Sequence, residues 1–275
     1  MESGKTALVL EGGGMRSSYL AGVLMALHER GMKFDCVIGT SAGACCGANF
    51  VIGEPGNNKI ILEDYLTSGP FVRFGNLFNG GNIVDIDYLI DEVCTKHVPM
   101  DPARIKAAPT PLYISATDYQ TGEVFFFNSR EHDIREALRA SSAMPYLYRR
   151  KVFLNGRRYI DGGVVADIPV EKAVALGCTD IVVVSTRYAG FRKTESWISV
   201  ALSRWIYSDS PVLKQVFQNR HILYNRCLDL IANPPKGCRI RMIIPQKPLP
   251  VTRTTREKEK VKEAVCLGYS DGLAF

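Results

Sequence analysis

Within the first fifty residues, two short apolar runs each break at a glycine-containing turn, and each turn runs straight into a helical pattern. Leu8, Val9 and Leu10 read as a buried strand. Glu11-Gly12-Gly13-Gly14-Met15-Arg16-Ser17 follows, and then residues 19–27, apolar enough for a partly buried helix. The second run, Phe34-Asp35-Cys36-Val37-Ile38, ends at Gly39-Thr40-Ser41-Ala42-Gly43. Two parallel strands joined by a crossover helix bring both turns to the same carboxyl edge of a sheet, so the order predicts an α/β fold with the two turns side by side.

Gly39-Thr40-Ser41-Ala42-Gly43 has the Gly-x-Ser-x-Gly form of a nucleophile elbow. A serine hydroxyl is a poor nucleophile at neutral pH, so it must be presented on a sharp strand-to-helix turn, near a base and near the first N–H groups of the helix. The same residue types also make ordinary turns, and the pentapeptide alone does not separate the two readings. Three consecutive glycines at 12–14 can turn bare N–H groups toward a point beside Ser41, as a tetrahedral oxyanion requires. A dinucleotide-binding reading of that loop meets two obstacles. Position 17 is Ser where the fingerprint wants Gly, and Asp35 precedes the second strand instead of ending it. No cofactor or metal is expected.

Residues 151–154 and 157–160 flank Asn155-Gly156, a strong hairpin signal, so Asp161-Gly162-Gly163 stands at the end of a strand. By itself the triplet is equally an Asp-Gly turn.

The loop Gly12-Gly13-Gly14-Met15-Arg16, the elbow Gly39-Thr40-Ser41-Ala42-Gly43 and the triplet Asp161-Gly162-Gly163, in this order and at these spacings, resemble the patatin-like phospholipase family. Ala140-Ser141-Ser142-Ala143-Met144-Pro145 is similar to the helix end that this family carries before its aspartate. The resemblance covers roughly residues 5–185. It implies a three-layer α/β/α fold; with the two parallel strands read above and the tail described below, the expected architecture is a mainly parallel central sheet and a mixed C-terminal appendage. It also implies a Ser41–Asp161 dyad without a catalytic histidine, oxyanion donors at Gly12, Gly13 and Gly14, and lipid acyl esters as substrates. Ser17 stands where the family has the last glycine of its loop, a departure that bears on local loop geometry.

The histidines are His28, His97, His132 and His221, and none stands at a predicted strand end. His221 alone follows Asp161, as the Ser, Asp, His order of α/β-hydrolases requires, yet it falls inside the helical stretch 211–232. Rival bases are Asp167 and Asp118, the latter ending the strand-like residues 112–117; Ser141 and Ser142 are weaker rival nucleophiles, since 133–143 reads as a helix. Arg16 either orients the glycine loop or meets a phosphate; its plain alternative is a surface charge early in a helix.

A chain of 275 residues with 46% hydrophobic content can bury a large core. Its first apolar segment is broken by Glu11 and glycines, without a secretory pattern, and it has no run of 18 apolar residues. Its eight cysteines include no CxxC pair. A cytoplasmic enzyme is expected, with peripheral membrane contact as an option.

Charge is divided unevenly: residues 187–275 hold 16 Lys plus Arg against 7 Asp plus Glu, and residues 1–186 hold 18 against 21. We therefore expect a catalytic domain over 1–186 and a basic, mainly helical extension over 187–275, with helices near 197–207 and 212–231, a strand at 238–244 and a last helix from about 255. Trp197, Arg204 and Trp205 would form a face for anionic lipid; alternatively, these helices pack on the core with solvated charges outside. Nucleic-acid binding has no motif behind it. The region between the loops at 53–58 and 80–82 is a candidate lid. The function expected is a phospholipase A-type lipid acyl hydrolase; a general carboxylesterase and a catalytically idle membrane-associated module are the alternatives.

Overall fold

A computed structural model of the chain describes residues 4–73, 75–207 and 209–275, with the backbone alone at Leu77, Phe78, Ser199, Arg204, Trp205 and Ile206. The chain runs β1 (Thr6–Leu10), α1 (Ser17–Glu29), β2 (Cys36–Thr40) and α2 (Ala42–Val51). A helical excursion follows, with α3 (Gly56–Ile60), α4 (Asn76–Asn79), α5 (Pro102–Ala107) and wider turns at Ile61–Tyr65 and Tyr88–His97. Next come β3 (Leu112–Asp118), β4 (Val124–Asn128), α6 (Ile134–Ser142), β5 (Val152–Leu154) and β6 (Arg157–Asp161). The remainder is α7 (Val170–Ala175), β7 (Asp180–Val184), α8 (Trp197–Ile206), α9 (Pro211–Ala232), β8 (Arg239–Ile243) and α10 (Lys258–Ala274).

The strands form one sheet in the order β5-β6-β3-β2-β1-β7-β8, with β4 also paired to β3. Pairs β1–β2, β1–β7, β2–β3 and β7–β8 are parallel, and β3–β4, β3–β6 and β5–β6 are antiparallel. The glycine-loop strand and the elbow strand are thus neighbours, with Leu10 opposite Gly39.

Both sheet faces are covered, which is why β1, β2 and β7 are buried along nearly their whole length instead of alternating. Leu8, Leu10, Val37, Val182 and Val184 point to one face, toward α1, α2, α6 and α10. Ala7, Val9, Cys36, Ile38, Ile181 and Val183 point to the other, toward α7 and α9. Each fully buried Leu or Val contributes about 1.5–3 kcal/mol relative to exposure. Asn155 and Gly156 both take positive φ, 49° and 75°, the primed turn that matches strand twist in the β5–β6 hairpin. Residues after 186 add β8 to the sheet edge, and α10 lies along α1, where Tyr19 Oη donates to Asp271 at 2.6 Å and Arg30 to the Gly272 carbonyl at 3.0 Å. Among the described residues no helix is long and apolar enough to cross a membrane.

Candidate active site

The residue that follows strand β2 takes a backbone conformation that side chains seldom adopt. Ser41 has φ 53° and ψ −126°, at a cost on the order of 1–3 kcal/mol that the surrounding packing must offset. The packing is tight: a Cβ on Gly43 would sit 2.6 Å from the Glu11 carbonyl oxygen, so glycine is what allows the start of α2 to press on the end of β1. The Ser41 N–H donates to Ser141 Oγ on α6 at 2.7 Å, which fixes the elbow from the opposite side.

Asp161 reaches the same point from β6, across β3. It lies opposite Ala116, while Ser115 lies opposite Thr40. Ser41 Oγ donates to Asp161 Oδ2 at 3.0 Å, and the Gly163 N–H donates to Asp161 Oδ1 at 2.6 Å. The backbone of Asp161 is held as well: its N–H donates to the Ala143 carbonyl at 3.0 Å, and Thr117 Oγ1 donates to its carbonyl at 2.9 Å. Burial pushes the Asp161 carboxyl up to about 6, against the Gly163 hydrogen bond that favours its ionised form. A carboxylate so placed is a competent proton acceptor near neutral pH.

The glycine loop divides its N–H groups unequally. Gly12 was expected among the oxyanion donors, but its N–H donates to the Asp167 carbonyl at 3.0 Å, and a hydrogen already committed to the protein cannot also meet an oxyanion. The N–H groups of Gly13 and Gly14 have no protein acceptor among the described residues, and both glycines line the cleft with Ser41 and Asp161. Gly14 has φ 57°, and the loop is pinned there from the far end of the chain: the Met15 N–H donates to the Arg253 carbonyl at 3.1 Å.

Arg16 is buried, not a surface charge, and its Nε has no hydrogen-bond partner. Burial, then Arg253 and Arg187, push its guanidinium down to about 10.

The rival groups are engaged elsewhere. Asp118 accepts from Arg157 at 2.6 Å and from the Gln120 and Thr121 N–H groups. Asp167 is ion-paired with Lys193, and lies 3.8 Å from Arg220 and 4.0 Å from Arg253. Burial alone would raise its carboxyl, but these cations, Lys193 foremost, hold it well below the ordinary carboxylate range. His28 packs on Phe50, His97 on Tyr65 and His132 on Phe127, while His221 lines a cavity adjoining the cleft; no histidine bonds to Ser41 or Asp161 among the described residues.

Two cavities open beside Ser41. One is a narrow apolar slot walled by Cys45, Cys46, Leu62, Leu66, Phe71 and Leu89, so the helical excursion treated as a candidate lid lines the site with its side chains. The other is a cleft of about 450 Å³ shared by the glycine loop, Asp161, Tyr146, Phe217, Arg220 and Arg253. Reading the sequence missed the support from Ser141, the slot and the two arginines. Only Ser141 lay in a segment that carried a signal; the others come together by chain folding alone.

A family model described as patatin-like phospholipase matches residues 8–174, and one described as a domain of unknown function, DUF6363, matches residues 210–275. The uncharacterized protein YjjU of Escherichia coli is 32% identical over 252 residues, covering 90% of this chain and 70% of that protein. Lysophospholipase NTE1 of Saccharomyces cerevisiae is 26% identical over 195 residues, which are 67% of this chain but only 11% of that protein. The crystal structure of VipD from Legionella pneumophila has the same fold, with a TM-score of 0.51 at 15% identity, covering 98% of this chain and 66% of that one.

Proposed function

The chain belongs to the patatin-like phospholipase family, and on that premise we propose that it is a lipid acyl hydrolase working through Ser41 and Asp161. Asp161 takes the proton of Ser41 as Oγ attacks the ester carbonyl, and the Gly13 and Gly14 N–H groups receive the developing oxyanion. Asp161 then returns the proton to the leaving alcohol, and water repeats the sequence on the acyl-enzyme. The observation that carries this reading is the 3.0 Å contact between the Ser41 hydroxyl and a buried carboxylate. The apolar slot supports a lipid acyl chain as the group transferred, and the name of the yeast relative supports the same class. A fluorophosphonate probe tests the reading: labelling of the wild type that disappears in Ser41→Ala supports it, whereas a folded protein that never labels favours the idle binding module. Faster hydrolysis of dispersed short-chain esters than of liposomes would favour the general carboxylesterase.

The elevated carboxyl of Asp161 sets a pH dependence. The base must be ionised to accept a proton, so kcat/KM is expected to be flat above about pH 7 and to fall about tenfold per unit below about pH 6. A profile flat down to pH 4.5 would remove Asp161 from the role of base.

Helix α8 exposes Trp197, Ile198 and Leu202, of which Ile198 and Leu202 line the cleft. The side chains of Arg204 and Trp205, named with Trp197 in the membrane-facing expectation, lie outside the described residues. These apolar groups support peripheral contact with a lipid surface at the point where substrate enters. Trp197→Ala combined with Ile198→Asp is expected to weaken co-sedimentation with anionic vesicles by about tenfold. Unchanged sedimentation would remove Trp197 and Ile198 from membrane contact.

A further inference from the structure

The basic residues of the C-terminal third are not spread evenly over its surface. Arg187 follows β7, Lys193 lies in the next loop, Arg220 on α9 and Arg253 in the connector before α10, and all four line one cavity of about 320 Å³. That cavity shares Ser196, Phe217, Arg220 and Arg253 with the cleft containing Ser41 and Asp161. Apart from Asp161, the only carboxylate lining either cavity among the described residues is Asp167, and Lys193 already takes it.

Three guanidinium groups keep donors to spare. Arg253 stands 4.0 Å from Asp167, outside hydrogen-bond range, and has no hydrogen-bond acceptor among the described residues. Arg220 donates one N–H to the Gly163 carbonyl at 2.8 Å, while its buried Nε has no partner. Arg187 stacks on Phe191 with its guanidinium carbon 4.4 Å from the ring centroid, a contact that uses its face and leaves its edge for an acceptor. Arg253 is also fixed relative to the reacting atoms, since its own carbonyl holds the glycine loop at Met15. Forks of N–H donors with little counter-charge suit phosphate oxygens, and a cationic substituent would be repelled there.

We infer that Arg187, Arg220 and Arg253 form a subsite beside Ser41 and Asp161 for a phosphate ester head group that carries no ammonium, so that the C-terminal third selects anionic over zwitterionic lipids. The inference rests on the lipid-hydrolase reading given above. A lipid seated with its ester carbonyl at Ser41 extends its glycerophosphate along the 450 Å³ cleft toward Arg253, and its terminal substituent enters the cavity lined by Arg187 and Lys193.

The test compares lysophosphatidylglycerol with lysophosphatidylcholine of the same acyl chain, using the full chain. Wild type is expected to favour the first by about tenfold or more in kcat/KM, mainly through KM, and Arg187→Gln combined with Arg253→Gln to bring the ratio to within about twofold. Equal turnover of both lipids by wild type, or a ratio that survives in the double variant, overturns the subsite. Calorimetric titration with glycerol 3-phosphate gives an answer independent of turnover: binding by wild type that is lost in the double variant supports the subsite, and no binding by wild type overturns it. Inorganic phosphate that binds as tightly while the two lipids are hydrolysed equally would make this a free-anion site and overturn the head-group assignment. If no ester is hydrolysed and Ser41 never labels, the hydrolase reading fails, and the titration still decides the anion site on its own.

Discussion

Ser41→Ala is expected to lower kcat/KM for an acyl ester by at least about 10⁴-fold, and Asp161→Asn by about 10³- to 10⁴-fold, while both proteins stay folded. The two losses should not multiply in the double variant, because in the proposed mechanism nucleophile and base act in one step. Asp167→Asn is the control. That carboxyl lies close to Asp161 in the chain but is held ionised by Lys193, Arg220 and Arg253, and a carboxylate so stabilised is a weak base. Activity should therefore drop less than about tenfold in Asp167→Asn, even though a buried ion pair is broken. Full activity in Asp161→Asn together with complete loss in Asp167→Asn would reverse the roles.

Asp161 also carries a stability signature of its own. Its folded-state value of about 6 lies above the ordinary aspartate value near 3.9, so folding favours the protonated form. The contribution is fully present below about pH 4 and is lost as pH rises through about 6, where the carboxylate must be ionised in a buried position. Asn at 161 carries no charge, so Asp161→Asn should be more stable than wild type at pH 8, by on the order of 2 kcal/mol. Activity and stability then move in opposite directions at one atom, as expected of a group held for chemistry.

The first βαβ unit was legible because every signal in it is local: both strands carry a short continuous apolar run, and each glycine turn directly precedes its helix. The β5–β6 hairpin was legible for the same reason, since Asn155-Gly156 specifies its own turn. The placement of Asp161 beside Ser41 depends on β3 lying between their strands, which no local pattern encodes; the family resemblance supplied the pairing. Gly12 was misjudged because three identical glycines look equivalent in sequence, whereas the Asp167 carbonyl selects one of them. Arg253 gave no signal near the loop it holds, being more than two hundred residues away in the chain. The basicity of residues 187–275 was visible as a total, but its concentration on one cavity emerges only when β7, α9 and the connector to α10 converge.

The second large effect is expected at Arg139, which is 2% exposed on the inner face of α6. Its guanidinium pairs with Asp87, with Asp91 at 2.6 Å and with Glu136 at 3.0 Å, and Asp87 also accepts from Tyr148 at 2.7 Å and Arg150 at 2.8 Å. The N-terminus of helix α6 is capped by Asp133, which accepts from the Glu136 N–H at 3.1 Å. Removing one partner of a buried ionic network leaves uncompensated charge and costs about 3–5 kcal/mol. Asp91 can turn to water and Asp87 keeps two donors, so Arg139→Leu should fall at the low end, about 3 kcal/mol, which for a chain of this size lowers Tm by on the order of 10 °C. The loss should reach the chemistry, because α6 carries Ser141, which holds the Ser41 N–H, and the segment leaving it carries Ala143, whose carbonyl holds Asp161. Arg139→Lys keeps the charge but not the fork of donors, and should fall between wild type and Leu in both Tm and kcat. Thermal unfolding and ester kinetics on the three proteins decide it: a Tm within about 2 °C of wild type in Arg139→Leu would mean that the network is inert and that packing alone seats the helix beneath the elbow.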